Sequence, residues 1–204
     1  MKGKFITFEG SEGCGKSTQS KLLYQYLKDK GFDVVILREP GGVTVSEKIR
    51  ALLLDVKNES ISPVCEMLLY MAARAQVVDE LIKPELLKGK IVICDRFLDS
   101  TIAYQGFGLG LEIKAIKFIG RVAASGIKPD LTIFLDLPVD KGLRFRRHSL
   151  DRIEKRPLSY HKEVRSGYLK LAALEPNRIK KVKVESNLNL TQSKIRELVK
   201  RYVI

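Results

Sequence analysis

Short apolar runs alternate with longer stretches of helical periodicity along this chain. The runs at residues 5–8, 34–37, 91–94, 131–135 and 182–184 are dense in Val, Ile, Leu and Phe. That density is expected of strands buried on both faces of a parallel sheet. Residues 16–30, 45–54, 63–88, 112–125, 139–147, 160–174 and 191–202 read as helices, the last with Thr191 as its N-cap. Strand–helix alternation implies right-handed crossovers and helices on both faces. The expected fold class is therefore α/β: three layers around a five-stranded parallel sheet, in one domain spanning residues 1–204. There is no internal repeat, low-complexity segment or interdomain linker. Residues 106–111, Gly-Phe-Gly-Leu-Gly-Leu, are the most flexible-looking stretch and could form a simple turn.

The junction between the first strand and first helix carries the strongest chemical signal. Gly10-Ser11-Glu12-Gly13-Cys14-Gly15-Lys16-Ser17-Thr18 matches G-x-x-x-x-G-K-S/T at every position, in the strand–turn–helix setting that makes the match a phosphate-binding loop. Glycines at 10, 13 and 15 allow conformations that a Cβ hinders. The loop N–H groups then converge on a di- or triphosphate at a helix N-terminus, where the dipole favours negative charge. Lys16 adds a cation near the β- and γ-phosphates, and Ser17 offers a hydroxyl to Mg2+. The fold is thus expected to be that of a P-loop NTPase. Cys14, beside Lys16 at that helix start, is expected to be either a thiol of lowered pKa or a small filler.

Composition narrows the partners. The chain has 204 residues, 45% of them hydrophobic, and no apolar run approaches a membrane span. Residues 1–9 enter a strand at once, without the features of a signal peptide, so a cytoplasmic location and no membrane partner are expected. Three widely spaced cysteines and two histidines suggest neither a disulfide framework nor a zinc site. The net charge of +13 suits nucleic acid or, equally, two polyphosphate ligands. No long basic run with interleaved aromatics occurs, which favours phosphate substrates over nucleic acid.

Ligands of doubly wound sheets gather beyond the C-terminal strand ends. There the sequence places Arg38-Glu39-Pro40-Gly41-Gly42, with Arg50 on the following helix, then Asp95-Arg96, then Asp136. Asp95 reads as a carboxylate that holds Mg2+ directly or through water. Asp136 is the competing choice, ranked lower because Arg96 follows Asp95 at once.

Together these segments give the chain a close resemblance to the bacterial thymidylate kinases over essentially its whole length. The resemblance rests on Phe8-Glu9-Gly10 and the phosphate loop; Arg38-Glu39-Pro40-Gly41-Gly42; Leu68-Leu69-Tyr70-Met71-Ala72-Ala73-Arg74; Asp95-Arg96-Phe97 running on to Ser100-Thr101-Ile102-Ala103-Tyr104-Gln105-Gly106; and Leu150-Asp151-Arg152-Ile153-Glu154. It implies that Tyr70 stacks on the thymine of dTMP, with Tyr where the family usually has Phe. Arg74, one helical turn on, reaches the base edge. Thr101 and Gln105 hydrogen-bond the pyrimidine, with Ser100 beside them. Tyr104 packs under C2′, Glu39 lines the same pocket, and Glu12 lies near the sugar and phosphate. Arg50 and Arg96 grip the monophosphate. Read without the family, Tyr70 and Tyr104 are better taken as core aromatics and Arg74 as a solvated helix residue.

The resemblance further implies transfer of the ATP γ-phosphoryl to dTMP, giving dTDP and ADP, with Mg2+ on Ser17 and Asp95. A short basic lid at about 140–156 would supply charge to the transition state. Arg147 is the best match for its catalytic arginine and Arg146 the second, with Arg144 and Arg152 as further sources. The adenine is expected near Glu185-Ser186-Asn187. The family is homodimeric, and the 63–88 helix is the expected contributor to a dimer face. Two rival readings are a different nucleotide kinase on the same fold and a nucleotide switch or nucleic-acid-stimulated NTPase.

Overall fold

All five apolar runs become strands: β1 (Lys4–Glu9), β2 (Val34–Arg38), β3 (Ile91–Asp95), β4 (Leu131–Asp136) and β5 (Ile179–Lys183). The structure is a computed structural model and describes residues 3–145 and 151–204. Every pairing is parallel, and the order is β2-β3-β1-β4-β5. The sheet is thus the expected five-stranded parallel one, with β1 at its centre. β5 starts at Ile179, ahead of the apolar run, because only Ile179 and Val182 of Ile-Lys-Lys-Val-Lys are buried. As an edge strand it carries lysines that break the hydrophobic pattern.

The helices are α1 (Lys16–Asp29), α2 (Thr44–Leu54), α3 (Pro63–Val77), α4 (Lys83–Leu87), α5 (Leu98–Thr101), α6 (Ile113–Ala123), α7 (Val139–Arg144), α8 (Leu158–Leu174) and α9 (Leu188–Tyr202). Strand side chains alternate between two faces. Ile6, Phe8, Ile93, Ile133 and Leu135 pack with Leu23 and Leu27 of α1 and Ile195 and Val199 of α9. On the opposite face, Phe5, Val92 and Cys94 meet Val77 at the end of α3, while Phe134 meets Tyr168 of α8. Helices therefore cover both faces.

Three local expectations change. The 63–88 helix runs as α3, a π-helical stretch Val78–Ile82, and α4. Pro84 has no N–H to donate into the preceding turn, and the wider π turn accommodates it. A second π-helical stretch, Ile102–Gly108, continues α5 and carries Tyr104 and Gln105. Residues 106–108, expected to be flexible, belong to this stretch and press against α8. A Cβ on Gly108 would stand 2.5 Å from the Tyr160 ring, and one on Gly167 2.6 Å from the Phe107 ring. Thr191 is not a cap. Asn187 starts α9, its Oδ1 accepting from the Asn189 amide at 2.8 Å. The Thr191 hydroxyl instead accepts from the Glu185 amide at 2.9 Å.

Candidate active site

β1 and β3 end side by side, with Phe8 opposite Asp95, so the phosphate loop and the Asp95-Arg96 pair share one rim of the sheet. A cleft of about 1050 Å³ opens there, running from Lys16 past Arg96 to Tyr70. In the loop, Gly10, Gly13 and Gly15 all have positive φ, at 144°, 70° and 88°. Gly13 also passes so close to Gly142 of α7 that a side chain would collide with the Gly142 carbonyl. Lys16 donates to the Gly10 and Ser11 carbonyls at 3.0 and 2.9 Å, which holds its ammonium across the loop. Ser17 and Thr18 are exposed at the start of α1.

Asp95, not Asp136, is joined to the loop. Ser17 Oγ donates to Asp95 Oδ2, whereas Asp136 is held by Arg165 at 2.8 Å. Asp95 Oδ1 is buried and has no hydrogen-bond partner among the described residues. A divalent cation would fit this donor set. Magnesium is commonly bound by one or two carboxylates plus substrate phosphates, so it needs no protein cage. Among the described residues no group of three or more His, Cys, Asp or Glu could hold a metal ion.

Arg96 is the most heavily supported side chain of the cleft. Its backbone is left-handed, at φ 75°. Nη2 donates to Glu12 Oε1 at 2.7 Å and to the Tyr104 hydroxyl at 3.0 Å. Nη1 reaches Ser100 Oγ at 3.2 Å and the Gly10 carbonyl at 3.3 Å. The guanidinium carbon sits 4.8 Å from the Tyr104 ring centre, a cation–π distance. Burial works against the charge on Glu12, yet Arg96, Lys16 and the Tyr104 hydroxyl hold its carboxyl down to about 2. Glu12 is therefore a fixed anion that orients Arg96.

The third part of the cleft is the pocket around Tyr70, which is half-buried on α3. Arg74 is buried rather than solvated, and Glu39 Oε2 accepts from its Nε at 2.8 Å. Its Nη1 donates to Thr101 Oγ1 at 3.1 Å. Burial raises the Glu39 carboxyl and Arg74 opposes it. Arg50 is half-buried and donates to the Pro40 carbonyl at 3.0 Å. Gln105 is 1% exposed and still lines the cleft. Ser100 lines it too, with its hydroxyl committed to Glu9 at 2.6 Å. At the other end, Glu185 and Ser186 line the cleft near the phosphate loop, while the Asn187 side chain is taken up in capping.

The structure brings the expected phosphate-loop, acceptor and Asp95-Arg96 residues together around one cleft, but not Arg144, Arg152 or Asn187; Arg147, like Arg146, lies outside the described residues. Arg144 is exposed on α7. Arg152 is not a mobile cation. It is 8% exposed, donates from Nε to the Leu53 carbonyl at 2.9 Å, and places Nη2 2.6 Å from Glu66 Oε2. Cys14 is 1% exposed, and burial raises its thiol against the pull of Lys16 and Arg96, which supports the small-filler alternative.

Sequence reasoning gave no role to Glu9, Glu66 or Tyr168. Glu9 Oε1 accepts from the Phe97 amide at 2.8 Å, and Oε2 from Tyr168 at 2.9 Å as well as from Ser100. It thereby fixes the segment on which Arg96 sits. An acid inside the apolar face of α3 was the one signal that could have singled out Glu66.

Comparison with known proteins agrees with this geometry. The thymidylate kinase family model matches residues 8–195. A thymidylate kinase of Thermoanaerobacter sp. (strain X514) is 46% identical over 204 residues, covering all of both chains. One of Geotalea daltonii is 49% identical over 199 residues, covering 93% of each. The crystal structure of thymidylate kinase from Ehrlichia chaffeensis superposes with a TM-score of 0.82 at 33% identity, covering 98% of this chain and 100% of that one. A complete phosphate loop, a caged arginine beside it and a relationship that spans the full chain lead to one conclusion: this chain belongs to the thymidylate kinase family.

Proposed function

We propose that this chain transfers the γ-phosphoryl of ATP to the 5′-phosphate of dTMP, giving dTDP and ADP on the route to dTTP. One observation carries the reading: a single cleft joins a complete phosphate loop to a second cation, Arg96, that Glu12 and Tyr104 hold facing it. The attacking atom is a phosphate oxygen, already anionic at neutral pH, so no strong general base is required. Catalysis then rests on positioning and charge stabilisation.

Lys16 and the loop amides hold the donor. Arg96 and Arg50 aim the acceptor, whose phosphate suits a planar guanidinium. Tyr70 stacks on the base, Arg74, Thr101 and Gln105 line its edge, and Tyr104 closes the space beside C2′. Ser100 supports Arg96 rather than meeting substrate first, given its bond to Glu9. Ser17 and Asp95 would hold Mg2+, which would supply positive charge to offset that of the phosphates. Arg147 supplies the remaining positive charge of the transition state.

The proposed enzyme is a homodimer. Val64 and Leu68 on α3 and Phe118 and Val122 on α6 are exposed apolar pairs on two helices that pack together, which supports a partner on this face. No described helix is long and apolar enough to cross a membrane. Its substrates assign the enzyme to the cytoplasm, and the reading includes no nucleic-acid partner.

The test is ADP release from ATP with and without dTMP, repeated with dUMP, dCMP, dGMP, UMP and thymidine. The expected result is turnover that depends on dTMP and falls for the others. Equal turnover with all acceptors, or ATP hydrolysis indifferent to them, would point to the rival readings.

A further inference from the structure

We propose that Glu66 sets the base preference of the cleft by fixing which end of the Gln105 amide faces the ligand. The inference rests on the reading of Gln105 as a base contact. Glu66 is a fully buried carboxylate on α3. Its Oε1 accepts from Gln105 Nε2 at 2.9 Å. Its Oε2 accepts from Arg156 Nη2 at 2.6 Å and lies 2.6 Å from Arg152 Nη2, the latter a charge contact rather than an aligned hydrogen bond.

All three partners approach Glu66 with donors. Guanidinium groups have no acceptor and stay charged, and an ionised carboxylate has no donor. The two ends of the Gln105 amide have nearly the same shape but opposite hydrogen-bonding character. Glu66 takes the NH2 end, so the carbonyl oxygen is the end left for the cleft. A carbonyl oxygen accepts from the N3–H of thymine or uracil. It opposes cytosine, whose N3 is itself an acceptor. Glu66 therefore acts as a positioning residue that reads the base through Gln105.

The two arginines make the proposal testable in a directed way. In Glu66→Gln the introduced amide oxygen is drawn to the two guanidinium groups, which can only donate. The introduced NH2 then faces Gln105. Gln105 must turn its oxygen toward that donor and its own NH2 toward the cleft, which suits cytosine N3 and clashes with N3–H. A site built to hydrogen-bond one partner discriminates strongly when that partner is mismatched. Glu66→Asp removes a methylene but remains an acceptor alone, so it has no reason to turn Gln105.

The experiment measures kcat, KM and equilibrium binding for dTMP and dCMP on the full-length wild type, Glu66→Gln, Glu66→Asp and Gln105→Ala. The expected result is that Glu66→Gln shifts the dTMP-to-dCMP ratio of specificity constants at least about tenfold toward dCMP, mainly through KM. Glu66→Asp keeps the ratio within about twofold of wild type even where its rate falls. Each ratio comes from one preparation, so a lower folded fraction cancels. A ratio unmoved in Glu66→Gln while Gln105→Ala does move it overturns the inference alone. So does an equal shift in Glu66→Asp. If Glu66→Gln yields no folded protein, Glu66→Ala replaces it: with no acceptor left to hold its NH2 end, the Gln105 amide can turn, and an unmoved ratio there overturns the inference. No effect of Gln105→Ala on dTMP binding or on the ratio overturns the base-contact reading together with the inference.

Discussion

Ser17 Oγ donates to Asp95 Oδ2 at 2.5 Å, tying the first turn of α1 to the last residue of β3. The two side chains come from distant parts of the sequence, yet parallel pairing of β1 with β3 sets them at one rim. Asp95→Asn keeps the shape and removes the charge. It should raise the Mg2+ concentration needed for half-maximal turnover and lower turnover about 10–100-fold, the usual cost of losing a group that orients a metal site. Ser17→Ala should act through the same site, so the double variant should lose less than the product of the two single losses. Titration of turnover with Mg2+ checks this, and an unchanged Mg2+ requirement in Asp95→Asn would remove Asp95 from the role.

Glu9 should tilt stability with pH. Burial pushes its carboxyl up from 4.5 to about 7, with Asp99 adding to the push, while Ser100, Arg96 and the Phe97 amide oppose it. Between those values the folded protein keeps a proton that the unfolded chain has released. Stability therefore falls as pH rises from about 4.5 to about 7 and levels off above. At 1.36 kcal/mol per pKa unit this one group accounts for up to about 3 kcal/mol. Glu9→Gln keeps an acceptor for the Phe97 amide and removes the proton exchange. Denaturant titrations at pH 5 and 7.5 should show the wild type losing more stability than the variant, and parallel behaviour would contradict the assignment.

The cysteines should react in the reverse of the order that the phosphate loop suggests. Cys14 and Cys94 are buried, with burial raising both thiols, whereas Cys65 is exposed near the start of α3. Iodoacetamide should modify Cys65 first and leave turnover intact. Mass mapping checks the order, and labelling of Cys14 at the rate of Cys65 in folded enzyme would restore the reactive-thiol reading.

The parts of the site legible in the sequence are those whose meaning is local. The phosphate loop is one contiguous segment between a strand and a helix. Tyr70 and Arg74 share a face because they are one helical turn apart. Strands buried on both faces announce themselves by density alone, except β5, whose edge lysines hide its start. What stayed hidden depends on distant contacts. Glu66 shows in the sequence only as an acid on an apolar helix face, and its role appears when Gln105, Arg152 and Arg156 are seen to converge on it. Arg152 reads as one more basic residue of a lid until its burial shows otherwise. Asn187 and Thr191 are both good capping types, and only their bonds separate them, Asn187 accepting from the Asn189 amide and Thr191 from the Glu185 amide. The π-helical stretch carrying Tyr104 and Gln105 follows from close packing on α8, which no local pattern encodes.

Arg147 and Arg152 stand five residues apart and should prove to have different roles. Arg152 is buried against Glu66 and bonded to the Leu53 carbonyl. Arg152→Ala should cost about 3 kcal/mol of stability, the low end for breaking a buried pair, because Arg156 still faces Glu66. Turnover per folded molecule should stay within a few-fold of wild type. Arg147 is proposed to supply charge between donor and acceptor, where such an arginine contributes roughly 10³–10⁵ in related phosphoryl transfers. Arg147→Ala should therefore lower turnover more than about tenfold while the unfolding midpoint and dTMP affinity hold. Arg147→Lys should recover little, because a point charge cannot span two phosphate oxygens as a planar fork does. Denaturation and single-turnover rates on the same preparations separate the two effects. If Arg152→Ala abolishes turnover without moving the midpoint, while Arg147→Ala leaves turnover intact, then Arg152 is the cation and the buried geometry described above opens during the reaction.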